Sequence, residues 1–316
     1  MRLGFAGSSS KFSVNVLLYL IKNNRKPCVI YAQSDKRKGR GLKKKHSKIK
    51  QISLYFNIRI LQPSKLNKLH FFNVFSKLEL DIFIICGYGK IVPSYYFNFV
   101  SYGFFNMHPS LLPRWKGANP IKYSLMSGDT ISGVSLIKLS SLVDKGDICY
   151  QYCYLIKELD ESTSLEKKLS CVAIFILDSF LSKKKYLQGI YISQNNKINY
   201  PNADKIFKFS NSVWGKCKTN ILLYLKAYHN FPGIFFFAKN EAIKILQIEN
   251  YKKNINNAKV YKLGEVVKIL KTGIIFKCQN GFLILKKIQI SGKNEVLIED
   301  YVNSNNKIIK DNLIFN

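Results

Sequence analysis

The sequence predicts the α/β fold class: a doubly wound, mostly parallel sheet, followed by a small antiparallel β-barrel domain. Short apolar runs alternate with helical patterns through the first half of the chain, which favours strands joined by crossover helices. The segment Asp81–Cys86 is a continuous apolar run, typical of a strand buried on both faces. In the second half, Asn280-Gly281 separates two apolar runs and predicts a tight hairpin turn.

The elements of the first half follow from the spacing of their apolar residues. Continuous apolar runs predict strands, whereas apolar residues at helical spacing predict helices. The predicted strands are Arg2–Ala6, Pro27–Ala32, Ile58–Leu61, Asp81–Cys86, Tyr102–Phe105 and Val134–Leu139. The predicted helices are Val14–Ile21 and Lys48–Phe56, with a basic loop before the second of them. Ligands bind at the carboxyl ends of parallel strands, so the loops after these strands are where chemistry is expected.

A polar linker is expected to join the two domains. The chain has 316 residues, a length that favours two domains over one. The stretch 183–205 is polar, which predicts one domain over 1–182 and a second over 206–316. Within the second domain, Val213–Tyr228 has a helical pattern, and short strand-like runs dominate from Ile234 onward. Small barrels often bind nucleic acid, although a fold alone does not establish a function.

Composition and charge limit the class of function. Hydrophobic residues make up 47% of the chain, enough for a real core, and no apolar run reaches the roughly 18 residues of a membrane span. The N-terminus reads as a first strand rather than a signal peptide, so a cytoplasmic location is expected. The formal net charge of +31 favours a polyanionic partner such as nucleic acid. A general bias toward Lys, Asn, Ile, Phe and Tyr is an alternative source of part of this charge.

The seven cysteines are scattered along the chain without a CxxC pair. Neither a disulfide framework nor a zinc site is therefore expected, and buried reduced thiols are the plain interpretation. Cys149 and Cys153 have no His close to them in sequence and cannot complete a tetrahedral site by themselves.

Three polar side chains that follow predicted strands are candidates for catalysis. Asn106 and His108 are two residues apart, so in an extended segment both point to one face. An amide and an imidazole on one face can serve a developing oxyanion and a moving proton. Asp144 lies in a loop after Val134–Leu139, where it can orient or polarise His108. Taken alone, a His after a strand is more often structural, and Asp-Lys-Gly-Asp is usually only a turn.

A longer motif surrounds these residues. It reads Asn-x-His-x-Ser-Leu-Leu-Pro-Arg-Trp-x-Gly from Asn106, and Asp-x-Gly-Asp follows from Asp144. With these strings the chain resembles the folate-dependent formyltransferases. The segment Arg114–Gly117 is more similar to the methionyl-tRNA formyltransferases than to the purine-pathway relatives. The resemblance implies a Rossmann-like formyltransferase domain, an OB-like barrel that binds tRNA, and formyl transfer from 10-formyltetrahydrofolate to methionyl initiator tRNA.

The resemblance also implies a role for individual residues. Asn106 would hold the formyl oxygen, His108 would stabilise that oxygen and move a proton, and Asp144 would orient His108. The folate co-substrate would contact the family's tetrahydrofolate string and a strand end with its loop, namely Ser110, Leu111, Leu112, Pro113, Cys86, Gly87, Tyr88 and Gly89. The implied chemistry needs no metal, and a monomer is expected.

The basic segment Gln33–Lys45 resembles an inserted loop that wedges into the tRNA acceptor end. Arg40, flanked by glycines, matches the key arginine of that loop and can reach phosphates or base edges. The tRNA contacts that the resemblance implies are Arg40, Arg37, Lys38 and Lys43. The alternative interpretation of such a run is a solvated charged surface.

The sequence departs from the family at several positions. The first turn reads Ser8-Ser9-Ser10 without a proline, and Asn119 replaces a usual Ala. Leu142 stands where a Gly is usual, so the loop would be strained or rebuilt if that position requires a positive φ.

Two other functions remain open at this stage. One is formyl transfer to a small amine, such as a nucleotide sugar or glycinamide ribonucleotide, against which the basic loop argues. The other is a non-catalytic RNA-binding protein on a decayed enzyme scaffold, against which the intact Asn106, His108 and Asp144 argue.

Overall fold

The chain forms two compact units. A computed structural model describes residues 1–38, 43–64, 66, 69–183, 187, 189–195, 198–203, 216–230, 232–238, 241–252, 255, 260–304 and 308–314. The first unit comprises residues 1–124, 130–158 and 164–205, and the second comprises residues 125–129, 159–163 and 206–316. The domain bounds inferred from the sequence stay predictions.

The first unit is built on a seven-stranded sheet. Its first five strands in space are parallel, and the last two are antiparallel to their neighbours. In spatial order the strands are β5 Arg59–Leu61, β2 Val29–Ala32, β1 Leu3–Gly7, β6 Leu80–Cys86, β7 Val100–His108, β8 Ile131–Lys138 and β9 Ile148–Leu155. The prediction of a mostly parallel sheet is confirmed, and each predicted strand overlaps an observed one. Strand β9 was not predicted.

Helices in the first unit begin at serine caps where the sequence provides them. The Ser10 hydroxyl accepts from the Ser13 N–H at the start of the first helix, and Ser47 does the same for Lys50. The unusual Ser8-Ser9-Ser10 turn therefore still supplies a cap. The helices are α1 Lys11–Lys22, α2 Lys48–Tyr55, α3 Leu69–Ser76, α4 Pro120–Met126 and α5 Ser162–Ser182, with a 3₁₀ helix at Ser94–Phe99.

The sequence predicted a basic loop at Gln33–Lys45, but part of this segment forms two paired strands. β3 Lys36–Lys38 pairs antiparallel with β4 Lys43–Lys45, so the segment folds into a short hairpin, here called the basic hairpin. The two strands consist of Lys and Arg only, so the sequence carries no apolar alternation that would predict them. Arg40 lies outside the described residues.

The second unit contains a six-stranded antiparallel sheet. The predicted hairpin is confirmed, but its turn lies one residue earlier than predicted. Cys278 pairs with Gly281, so Gln279 and Asn280 form the turn, and Gly281, with a φ of 132°, begins the next strand. Val213, where a helix was predicted to begin, lies outside the described residues, and the described helix starts at Lys218. The elements are α6 Lys218–Tyr228, β10 Ile234–Ala238, β11 Glu241–Asn250, β12 Val266–Leu270, β13 Gly273–Cys278, β14 Gly281–Ile290, β15 Glu295–Leu297 and α7 Ile298–Asn303.

The core of the first unit sits against the central strands. Phe105 of β7 is fully buried and packs edge-on against Phe180 of α5, with ring centroids 4.8 Å apart. The central strands are covered on both faces, which is why their sequences are continuous apolar runs. Within the described part of the chain, no helix combines the length and apolar character required to cross a membrane.

We expect Phe105→Ala to destabilise the protein by about 3–5 kcal/mol, because it removes a buried ring and leaves a cavity. Urea unfolding followed by fluorescence measures the change. The matched control is Phe175→Ala on α5, whose ring is 51% exposed and whose loss should cost much less. Equal losses in the two variants would contradict the role given to Phe105.

Candidate active site

Strand β7 places the predicted amide and imidazole side by side. Asn106 pairs with Ile85 of β6, and His108 pairs with Ser135 of β8. Because side chains alternate along a strand, Asn106 and His108 lie on the same face, as predicted. They stand at the carboxyl end of a central strand, where ligands bind in sheets of this kind.

Asp144 lies in the loop between β8 and β9. Its side chain is buried, and its backbone has a φ of 52°, the left-handed region that few residues other than glycine adopt. Leu142, the departure noted above, is exposed and is not among the described residues with a positive φ. The loop therefore places its left-handed residue at the candidate carboxylate itself, and Leu142 causes no such strain.

The Asp144 carboxylate is the meeting point of the site. Asn106 Nδ2 donates to Asp144 Oδ1 at 3.0 Å, and the Gly117 N–H donates to Oδ2 at 2.9 Å. The Nδ1 atom of His108 lies 3.5 Å from the same Oδ2. The structure thus brings the three predicted residues together, although 38 residues separate Asn106 from Asp144 in the sequence.

The second ring nitrogen of His108 is also occupied. His108 Nε2 lies 2.9 Å from the Trp115 carbonyl oxygen, and since a carbonyl can only accept, Nε2 carries the hydrogen. Nδ1 then bears a proton only in the imidazolium form, and that proton faces Asp144.

This arrangement can stabilise a developing oxyanion and carry a proton. The Asn106 amide has two N–H groups, of which one serves Asp144 and the other can donate to an incoming oxygen. His108 and Asp144 lie next to that donor and can pass a proton.

The turn after β7 is fixed by side chains of the neighbouring strands. Ser135 Oγ donates to the Ser110 carbonyl at 2.6 Å and accepts from the Leu112 N–H at 3.0 Å. Gln151 Nε2 of β9 donates to the Leu112 carbonyl and to Ser135 Oγ, both at 2.8 Å. Ser110 and Leu112 are buried within this network, whereas Leu111 and Pro113 are partly exposed and accessible to a ligand.

The loop after β6 divides into buried side chains and exposed glycines. Cys86 and Tyr88 are buried, and burial raises the pKa of the Cys86 thiol. Gly87 and Gly89 are exposed with φ of 59° and 71°, so their backbone groups are the accessible part of this segment. A small apolar cavity of about 10 Å³ lies beneath, lined by Tyr88 among other core side chains. Such a volume accommodates one water at most, not a ring.

Three residues of the site were not predicted from the sequence. Ser135 and Gln151 fix the Ser110–Pro113 turn, and Gln194 contacts the Asp144 loop. Ser135 and Gln151 are cross-strand partners, so a prediction of β9 would have made their pairing visible. Gln194 lies in the stretch interpreted as a linker, where no pattern marked it.

The base of the basic hairpin is held by a second carboxylate. Asp35 Oδ2 accepts from Lys50 Nζ at 2.7 Å and lies 2.9 Å from His46 Nδ1, while Gln62 donates to Oδ1 at 3.0 Å. The hydrogen bonds from Lys50 and Gln62 hold the pKa of Asp35 well below its usual range. The residues on the two sides of the hairpin, Asp35 and His46, are therefore tied together.

Three of the four predicted tRNA contacts fall within the basic hairpin. Arg37 and Lys38 belong to β3, and Lys43 of β4 pairs with Lys38. The fourth, Arg40, is outside the described residues.

The first unit is a mostly parallel α/β sheet in which an amide and an imidazole at the end of a central strand meet a carboxylate from a loop, an arrangement suited to the transfer of an acyl group. The sequence profile of the formyl transferase family matches residues 2–177, and that of the formyl transferase C-terminal domain matches residues 213–306. The chain therefore belongs to the formyl transferase family.

Relatives with similar sequences extend over nearly the whole chain. A methionyl-tRNA formyltransferase of Buchnera aphidicola (subsp. Acyrthosiphon pisum, strain APS) is 33% identical, over 98% of each chain. A methionyl-tRNA formyltransferase of Caldicellulosiruptor saccharolyticus is 30% identical, over 96% of each chain.

Solved structures share the fold. An N-formyltransferase from Helicobacter canadensis has a TM-score of 0.60 at 20% identity, covering 90% of this chain and 98% of its own. A sugar 3N-formyl transferase has a TM-score of 0.59 at 19% identity, covering 93% of this chain and 99% of its own.

We expect Asp35→Asn to lower stability mainly near neutral pH. A carboxyl whose folded pKa is depressed stabilises the fold above its unfolded pKa of about 4, and this contribution is lost as the pH falls. The difference in urea midpoint between the wild type and Asp35→Asn should therefore shrink from pH 7 toward pH 3. Glu79→Gln, an exposed carboxyl in the same unit, is the control and should show little difference. A gap that grows on acidification would contradict the role assigned to Asp35.

Proposed function

We propose that this protein transfers a formyl group from 10-formyltetrahydrofolate to the amino group of methionyl initiator tRNA, producing N-formylmethionyl-tRNA for translation initiation. The observation that carries the proposal is the convergence of Asn106 and His108 on the Asp144 carboxylate. It occurs in a chain that matches methionyl-tRNA formyltransferases over nearly its full length.

The chemistry follows from the positions of these side chains. The amine of the aminoacyl group attacks the formyl carbon and forms a tetrahedral oxyanion. The free N–H of Asn106 donates to that oxygen, and the His108 ring next to Asn106 moves the proton. The attacking nitrogen then loses a proton, the bond from the formyl carbon to the N10 nitrogen of the folate breaks, N10 takes a proton, and tetrahydrofolate leaves. Asp144 keeps the imidazole oriented throughout.

The folate donor would contact the accessible surfaces next to the site. Leu111 and Pro113 offer apolar surface, and Gly87 and Gly89 offer backbone groups. Cys86 and Tyr88 would contribute through their backbone, because their side chains belong to the core. Two solved structures with the same fold contain a folate, named folinic acid in one and 5-N-formyl-THF in the other, which supports a folate donor here.

A tRNA acceptor is favoured over a small amine. The relatives named methionyl-tRNA formyltransferase are 30% and 33% identical, whereas the sugar formyltransferase is 19% identical. The net charge of +31 and the basic hairpin also suit a polyanion. A second domain over 206–316 that binds tRNA, a monomeric state and a cytoplasmic location complete the proposal.

We expect Asn106→Ala to lower kcat for formylation of methionyl initiator tRNA by about 100- to 1,000-fold, the usual cost of one oxyanion donor. Purified protein, 10-formyltetrahydrofolate and charged tRNA make up the assay, and acid-gel separation of formylated tRNA gives the rate. Asn98→Ala, at an exposed asparagine of the 3₁₀ helix, is the control and should retain wild-type activity. A wild-type protein that formylates a nucleotide sugar but leaves the tRNA unmodified would show that the acceptor is wrong.

We expect Arg40→Ala to weaken tRNA binding and to reduce the slope of log affinity against log salt by about one unit, as the loss of one phosphate contact does. Filter binding over a series of KCl concentrations measures the slope. Arg59→Ala, at an exposed arginine of β5, serves as the control. An unchanged slope for Arg40→Ala would mean that this arginine does not contact a phosphate.

A further inference from the structure

The stretch that the sequence presents as a linker is part of the first unit's candidate site. We call residues 191–195 and 198–203 the strap. Ile192 exchanges two backbone hydrogen bonds with Ile148 at the start of β9, at 2.8 and 3.0 Å. Further along, the Pro201 carbonyl accepts from the Trp115 N–H at 2.9 Å, and the Ala203 N–H donates to the Lys116 carbonyl at 2.6 Å. The strap therefore contacts both segments that carry groups of the site.

One side chain of the strap reaches the Asp144 loop directly. Gln194 is buried, and its Nε2 donates to the carbonyl of Asp144 at 3.0 Å and to that of Gly146 at 2.7 Å. Both partners are carbonyl oxygens, so only the amide N–H groups can serve them. Both hydrogens of this amide are used to hold one three-residue segment.

That segment needs an external constraint. The left-handed backbone of Asp144 costs of order 1–3 kcal/mol in a residue other than glycine, so it persists only where surrounding contacts impose it. Gly146 is packed so closely that a Cβ there would lie 1.8 Å from the Lys138 carbonyl oxygen. The two hydrogen bonds from Gln194 satisfy the carbonyls on both sides of Lys145 while the segment holds this shape.

We infer that Gln194 is a positioning residue for formyl transfer: it fixes the Asp144 backbone so that the carboxylate meets Asn106, His108 and the Gly117 N–H. The inference rests on the proposed function for its kinetic part only. A displacement of about 1 Å in a site of this kind can cost roughly 100-fold in rate, so a group that touches no substrate can still govern turnover.

The test compares Gln194→Met, which keeps the volume and removes both donors, with Gln51→Met at an exposed position of α2. Hydrogen exchange of the Gly117 amide reports directly on Asp144, because that N–H donates to the carboxylate. We expect faster exchange of the Gly117 amide in Gln194→Met only. We also expect kcat to fall by about 10- to 100-fold, with KM for folate and tRNA changed less than about threefold.

A second variant, Gln194→Glu, keeps the shape of the side chain and makes the donor depend on pH. Its ionised carboxylate faces two carbonyl oxygens without a hydrogen to donate, whereas its protonated form can serve one of them. The activity of Gln194→Glu relative to the wild type should therefore rise as the pH is lowered from 8 to 6, and that of Gln194→Met should not. A purely structural role for Gln194 predicts no such difference.

The outcomes separate the inference from the proposed function. Unchanged exchange of the Gly117 amide in both Gln194 variants overturns the inference, whatever the activity. Faster exchange with wild-type kcat in an active enzyme also overturns it. Faster exchange with a lowered kcat supports it. If the wild type formylates no tRNA but Gly117 exchange still rises, the positioning role stands and the proposed function fails.

Discussion

The carboxylate of Asp144 is the constraint on which the candidate site depends. It is buried, and a buried charge is tolerated only where hydrogen bonds and an opposite charge replace water. Asn106, the Gly117 N–H and His108 all converge on its two oxygens. Because each partner comes from β7 or the segment after it, the position of one carboxylate fixes the amide, the imidazole and the segment around Trp115 relative to one another.

The fold supports this carboxylate through groups that do no chemistry. Ser135 and Gln151, from the antiparallel strands β8 and β9, hold the turn that follows β7. The antiparallel pairing of β8 and β9 places the side chains of Ser135 and Gln151 opposite each other, beside this turn. Short hydrogen bonds of this kind keep catalytic groups in place without rearrangement during the reaction.

A second buried carboxylate, Asp35, organises the other predicted functional region. Lys50 and His46 both contact the same oxygen of Asp35. Because Asp35 precedes the basic hairpin and His46 follows it, this contact joins the two ends of the hairpin. A hairpin of lysines and arginines repels itself, and a negative charge at its base offsets part of that repulsion. The basic residues can then present their charge to a polyanion from a fixed base.

The sequence by itself determined the features that depend on local patterns. The buried parallel strands were predicted from their apolar runs, the Asn280-Gly281 pair predicted a hairpin to within one residue, and the two-residue spacing put Asn106 and His108 on one face. Motif resemblance then supplied Asp144. Only the tertiary structure decided that this carboxylate contacts Asn106 and His108. It also decided that Asp144 rather than residue 142 has a left-handed backbone, and that Gln194 donates hydrogen bonds to the loop. Those contacts join residues far apart in the chain, and a hydrogen bond between distant polar groups leaves no periodic trace in the sequence.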